Sequence, residues 1–153
     1  MKTIKNVMVL LVFIFTLTGI YGQSGETKDL LINKWVIDKD AMKPVIEKVL
    51  AKNPQYLMQD EVSKKQSVNT VIDQQLSGIK IEYKKDRTYT KSDPNDSNTT
   101  GNWTLDTNGR ELTTKSGDKP EKKYTIVNIS KTKLHLNLIG KENSDLFLKV
   151  ENQ

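Results

Sequence analysis

The stretch IKIEYKKDRTYTK, residues 79–91, decides the fold class, because apolar side chains recur at every second position in it. Ile79, Ile81 and Tyr83 are predicted to share one face of a strand, with charged residues on the other face. Lys85-Asp86 is predicted to form a tight turn, after which the alternation resumes. The stretch therefore indicates a β-hairpin with one buried and one solvated face.

The same period of two continues to the end of the chain and predicts an antiparallel meander. Asp106-Thr-Asn-Gly109 is a strong hairpin signal. The predicted strands cover residues 31–38, 79–84, 87–91, 100–106, 110–115, 122–130, 133–139 and 146–150. A meander of this kind commonly closes on itself, which removes exposed strand edges. We therefore predict a mainly β fold, a single antiparallel up-and-down barrel of about eight strands.

A helical insert at about residues 39–77 separates the first two predicted strands. Its first apolar stripe consists of Met42, Val45, Ile46, Val49 and Leu50. Asp40 is predicted to cap this helix, and Pro44 to lie in its first turn, where a missing N–H costs little. Asn53-Pro54 predicts the start of a second helix, which should run to about Leu76. The apolar side predicted for the second helix holds Met58, Val62, Ile72 and Leu76, with Val68 and Val71 beside them.

The N-terminal 22 residues have the composition of a secretory signal peptide. A basic start, Met1-Lys-Thr-Ile-Lys5, precedes an apolar run that ends at Leu17. That run is shorter than the roughly 20 residues that a membrane span needs. We predict cleavage after Gly22, or else after Gly19, and export of residues 23–153 without a stable membrane anchor. An uncleaved N-terminal anchor is the alternative.

Charge and cysteine content narrow the possible functions. The chain has no cysteine, which excludes a lipoprotein anchor, disulfides and thiolate metal sites. Loss of Lys2 and Lys5 with the leader leaves 22 basic and 19 acidic residues, a net charge of +3. This mild charge does not favour a nucleic-acid partner. The remaining 131 residues are enough for one domain with its own core.

Five stretches carry a family resemblance: LINKW at 31–35, IEYKKDRTY at 81–89, GNWTL at 101–105, DTNGREL at 106–112 and YTIVNISKTKLHL at 124–136. In this order they resemble the bacterial lipocalin-like domain family, which are small exported calycin-type β-barrel proteins. The resemblance implies a periplasmic or extracellular barrel that binds a small hydrophobic or amphipathic ligand.

The inserted helix pair is similar to that of the intracellular fatty-acid-binding proteins, in which such a pair covers the barrel mouth. In those proteins an Arg-x-Tyr pair near the end of the chain holds the ligand carboxylate. Here the last strand is LFLKV at 146–150, without that pair. The resemblance therefore supports the fold and not an acid-binding pocket.

The sequence offers no arrangement typical of catalysis or of a metal site. His135, the only histidine, lies between Leu134 and Leu136 and should face outward without convergent partners. Residues 92–98 are rich in Asp, Asn and Ser, but lack the glycine and glutamate of a calcium loop and are predicted to form a polar loop. We expect no enzyme activity, no metal and no cofactor.

Lysines surround two of the predicted hairpins. They are Lys115, Lys119, Lys122, Lys123, Lys131 and Lys133. Such residues commonly keep strand edges soluble. A basic rim for an anionic partner is the alternative.

The predicted ligand-binding residues are apolar and aromatic side chains that point inward by the period of two. They are Trp35, Ile81, Tyr83, Tyr89, Trp103, Tyr124 and Leu136. An eight-stranded barrel is just wide enough to be filled by its side chains or to hold one small ligand. A filled barrel that acts as a protein-interaction or inhibitor module is therefore the competing hypothesis, and its protein partner is unknown.

Overall fold

The computed structural model describes residues 25–94 and 96–151 and shows eight strands closed into one antiparallel barrel. The strands are β1 Lys34–Ile37, β2 Lys80–Tyr83, β3 Thr88–Asp93, β4 Asp96–Leu105, β5 Glu111–Lys115, β6 Lys122–Ile129, β7 Lys133–Leu138 and β8 Asp145–Val150. Each strand pairs with the next one along the chain. The predicted fold class is confirmed, whereas the predicted signal peptide lies outside the described residues.

Pairing of β1 with β8 closes the barrel. Trp35 lies opposite Val150 in this pair, and the Asp38 N–H donates to the Phe147 carbonyl at 2.9 Å just past the end of β1. All eight strands thus have a neighbour on both sides, as soluble β proteins need in order to hide their edges.

The first strand is shorter than predicted. Residues 25–31 are helical and β1 begins at Lys34, so the prediction of a strand from Leu31 was wrong. Leu31 is fully buried, and its carbonyl accepts a hydrogen bond from the Trp35 indole nitrogen at 3.0 Å. The apolar residues before Trp35 therefore cover one end of the barrel instead of extending its wall.

The helical insert contains three helices in place of the two predicted. They are α2 Lys39–Leu50, α3 Pro54–Leu57 and α4 Glu61–Val71, and α4 continues as a π-helical turn, Ile72–Leu76; residues 25–31 form α1. Among the described residues, no helix is both long and apolar enough to cross a membrane.

Helix α2 begins earlier than predicted. Asp38, and not Asp40, is its N-cap, because Asp38 has an extended backbone and its carboxylate accepts from the Ala41 N–H at 3.4 Å. Pro44 consequently lies inside the helix and not in its first turn, so this prediction was also wrong.

The predicted second helix is broken. Asn53 caps α3 and Pro54 begins it, as predicted, but the helix ends after one turn. Asp60 then caps α4 by accepting from the Ser63 N–H at 2.7 Å. The break turns Met58 and Val62 toward solvent, where they are 86% and 77% exposed, so their predicted burial was wrong.

The predicted polar loop 92–98 is mostly strand. Strand β3 runs to Asp93, and β4 begins at Asp96, with which Asp93 pairs. Thr99, Thr100 and the residues after them pair with β3, so backbone pairing with a neighbour outweighs the turn-like composition of this segment.

Most of the apolar core lies inside the barrel. Its largest fully buried side chains include Trp35, Trp103, Leu112, Leu134 and Leu148. A second, smaller cluster of Tyr56, Val68 and Ile72 holds the helices to one another. We call helices α2 to α4 with the π-helical turn the lid, since Met42, Val45 and Leu76 pack from it against the barrel core.

Candidate functional site

A cavity of about 170 Å³ opens inside the barrel at the end where β2, β4, β6 and β8 begin. Its lining residues are Ile79, Ile81, Tyr83, Tyr89, Lys91, Thr99, Thr114, Ser116, Lys119, Pro120, Lys122, Tyr124 and Leu146. The period of two determines this lining, because it directs alternate residues of each strand inward. Four of the seven predicted ligand-binding residues, Ile81, Tyr83, Tyr89 and Tyr124, lie in this wall.

The other three predicted residues belong to the packed core. Trp35, Trp103 and Leu136 are each at most 2% exposed, and none of them lines the cavity. Both indole nitrogens donate to backbone carbonyls, Trp35 to Leu31 at 3.0 Å and Trp103 to Lys84 at 3.2 Å. These carbonyls lie at the barrel end opposite the cavity, so the tryptophans fill that end.

Tyrosine rings form the floor of the cavity. The Tyr83 ring lies edge-on to Trp103, with 5.9 Å between ring centroids, and tilted against Tyr89 at 6.1 Å. Burial raises the pKa of the Tyr83 phenol, and it also raises the pKa of the less deeply buried Tyr124. Both phenols therefore stay protonated at neutral pH and present hydroxyl groups that can donate hydrogen bonds.

Glycine makes room for one of these rings. Gly101 lies opposite Tyr89 in the pairing of β3 with β4. A Cβ atom at Gly101 would lie 2.8 Å from a Tyr89 ring carbon and 2.1 Å from the Lys115 carbonyl oxygen. Only glycine lets the two strands and the ring approach this closely.

Lysines supply all of the formal charge on the cavity wall. Lys91, Lys119 and Lys122 line it, and no carboxylate does. Lys91 forms an ion pair with Asp93 at 2.9 Å. Lys119 and Lys122 take part in no ion pair among the described residues, and both side chains are exposed. The mouth of the cavity is therefore electropositive.

The lid meets the barrel beside this mouth. Gly78, just after the last turn of the lid, packs against the ring of Pro94 between β3 and β4. A Cβ atom at Gly78 would lie 2.7 Å from the Pro94 Cγ atom, so glycine permits this contact. The neighbouring Ile79 is one of the lining residues, which joins the lid directly to the cavity wall.

His135 lies on the outer face of β7, away from the cavity, as its position between two buried leucines predicted. Sequence analysis missed its partners. His135 Nε2 is 2.8 Å from Asp145 Oδ1, and its ring stacks on Phe147 with centroids 4.0 Å apart. The register of β7 with β8, which places Asn137 opposite Asp145, brings these groups together.

Other concave surfaces lie outside the barrel. A groove of about 730 Å³ at the tryptophan end is lined by residues of 32–34, 82–85 and 150–151. It is a shallow surface groove that contains both lysines and glutamates. The interior cavity combines enclosure, aromatic walls and a lining whose only formal charges are lysines, and we therefore take it as the candidate site.

A solved structure shares this fold. The crystal structure of a DUF4847 family protein from Bacteroides vulgatus ATCC 8482 matches with a TM-score of 0.50 and 16% sequence identity, over 80% of this chain and 94% of that chain. At this level of identity the likeness shows the fold alone. No family profile matches the chain, and no curated protein matches it.

Proposed function

We propose that this protein is an exported, non-catalytic, lipocalin-like barrel that binds a small amphipathic molecule in its interior cavity. The observation that supports the proposal is that large rings fill one end of the barrel and leave a lined cavity at the other. A barrel whose only role is structural has no need of such a cavity, since dense packing stabilises it more.

The size of the cavity limits the ligand. An engineered apolar cavity of about 150 Å³ binds benzene, whereas pockets for drug-sized ligands begin at about 300 Å³. With about 170 Å³, this cavity matches a molecule of one ring or a short chain. Tyrosine and threonine hydroxyls on its wall suit a ligand that also carries a polar group.

Ligand-observed NMR on the purified protein tests the proposal, with benzyl alcohol as the probe. We expect saturation transfer to the probe, and loss of most of that signal in Leu146→Trp, because the larger ring occupies the cavity. Val127→Trp is the matched control, since Val127 is 53% exposed and does not line the cavity. No transfer in the wild type, or equal transfer in both variants, would contradict the proposal.

A second function has one observation in its favour. Leu57, Met58 and Val62 are 58%, 86% and 77% exposed at the junction of α3 and α4, and exposed apolar side chains that lie together are typical of interaction surfaces. A protein-interaction or inhibitor module would use such a patch. In that case the three residues, and not the cavity, would be sensitive to substitution in an assay of partner binding.

A further inference from the structure

We infer that the cavity selects a small organic anion, a molecule of about one ring that carries a carboxylate held at Lys119 and Lys122. This inference rests on the proposed function, because it names the ligand class of the same cavity. It does not depend on the Arg-x-Tyr pair that the last strand lacks.

The charge of the lining carries the inference. Asp93 offsets the charge of Lys91 at 2.9 Å, whereas Lys119 and Lys122 have no ion-pair partner within the described residues. Asp118 and Glu121 flank these lysines in sequence but do not line the cavity. A ligand in the cavity therefore meets two cations at the mouth without a competing carboxylate, and an anionic group is attracted there.

The apolar and aromatic part of the cavity wall determines which organic group should carry the carboxylate. Below the lysines, Ile79, Ile81 and Leu146 provide apolar contacts, and three tyrosine rings provide aromatic ones. A bare inorganic anion would leave this apolar surface in contact with water, whereas a ring or short chain would cover it. The ligand class that fits both parts is an aromatic or short-chain carboxylate.

The hairpin formed by β5 and β6 holds Lys119 and Lys122 in place at the mouth of the cavity. Lys122 begins β6 and lies opposite Thr114 of β5, which is buried in the wall. Lys119 belongs to the turn between these strands, where Gly117 adopts a φ of +52° and the Lys119 N–H donates to the Ser116 carbonyl at 3.1 Å. The β5–β6 hairpin thus presents both lysines at one side of the mouth.

Calorimetric or NMR titration with benzoate and benzyl alcohol tests the inference, because the two probes differ in charge and share the ring. We expect benzoate to bind roughly fivefold to tenfold more tightly than benzyl alcohol at low salt, because its carboxylate gains two solvent-exposed charge contacts, with Lys119 and Lys122. This preference should shrink at high salt, while the affinity for benzyl alcohol stays constant.

The variant Lys119→Gln/Lys122→Gln should lose the preference for benzoate and keep its affinity for benzyl alcohol. Lys84→Gln/Lys85→Gln is the matched control: it removes the same net charge from the opposite end of the barrel and should leave the preference unchanged. All four lysines are exposed, so neither double substitution should disturb the core. A cooperative thermal unfolding transition in each variant would verify that both proteins fold.

The possible results distinguish a failure of the anion selectivity from a failure of ligand binding in the cavity. Equal affinity of the wild type for both probes overturns the anion selectivity and leaves cavity binding intact. A preference for benzoate that survives Lys119→Gln/Lys122→Gln overturns the assignment of the carboxylate to these two lysines, and it also leaves cavity binding intact. Competition by inorganic phosphate as effective as that by benzoate shows a site for bare anions and also overturns it. Failure of both probes to bind overturns the proposed function itself.

Discussion

Tyr56 is the residue whose chemistry fits its surroundings least well. Its side chain is buried between the helices of the lid, and its hydroxyl is the one buried side-chain polar atom without a hydrogen-bond partner in the part of the chain that the structure describes. A buried hydroxyl without a partner loses its hydrogen bonds to water and gains nothing in exchange.

Replacement Tyr56→Phe should therefore leave the lid intact and stabilise the protein slightly. We expect the midpoint of thermal unfolding to stay the same or to rise by about 2–4 °C, because the unpaired hydroxyl disappears and the ring remains. Tyr56→Ala should lower the midpoint, because it removes the ring from the lid core. A lower midpoint for Tyr56→Phe would mean that the hydroxyl has a stabilising partner.

Asp145 should contribute to the pH dependence of stability. The hydrogen bond from the His135 side chain, and then that from Asn137, lower the pKa of Asp145 below its usual value. A carboxyl whose pKa is lower in the folded state than in the unfolded state stabilises the fold above the unfolded value of about 3.9. That contribution is lost as the pH falls through the lower, folded-state pKa.

We therefore expect Asp145→Asn to be less stable than the wild type at pH 7, with a difference that shrinks as the pH falls below about 4. Chemical denaturation at a series of pH values measures it. Asp118→Asn is the control, because Asp118 is exposed and has no ion pair among the described residues. A difference that grows toward low pH would contradict the assignment.

At the scale of elements, the lid and the barrel differ in how much apolar surface holds them. The main core cluster contains fourteen buried apolar side chains, of which only Met42 comes from the lid, whereas the lid cluster contains the three buried residues Tyr56, Val68 and Ile72. Helix α3 has a single turn, and α4 ends in a π-helical turn. Elements with few buried contacts open at lower free energy than the rest of a domain.

Native-state hydrogen exchange should resolve this difference. We expect the amides of α3 and α4 to exchange faster than those of β6 and β7, whose pairing lies within the barrel wall. Their exchange should also respond to lower concentrations of denaturant. Equal protection in both groups would show that lid and barrel open as one cooperative unit.

The elements also show where sequence patterns were informative. Most strands after residue 79 were predictable, because a buried inner face imposes an alternation of apolar and polar residues, and turn residues such as Asn108-Gly109 mark the hairpins. The strand segments at residues 92–98 were missed because of their turn-like composition. The break at Asp60 was missed, because an aspartate there also fits the N-terminal part of a continuous helix that begins at Pro54. Apolar periodicity continued across the break and concealed it.

At the scale of the whole molecule, closure was predictable but the position of the cavity was not. All seven predicted ligand-binding residues do point inward, yet periodicity cannot tell which of them pack together and which border a space. That difference arises from the register of the strands, which sets Trp103 against Tyr83 at one end and leaves Tyr124 facing the cavity at the other. The His135–Asp145 pair has the same origin, since it depends on the register of β7 with β8.

The uneven filling of the barrel separates two tasks along its axis. The tryptophan end is densely packed and joins the strands, while the hollow end is bordered partly by core side chains such as Tyr83 and partly by exposed ones such as Lys119 and Lys122. Substitution of the exposed lining residues should therefore reshape the hollow without loosening the framework, whereas substitution of the core residues should affect both. This division makes the barrel a suitable scaffold for the design of new small-molecule sites at its hollow end.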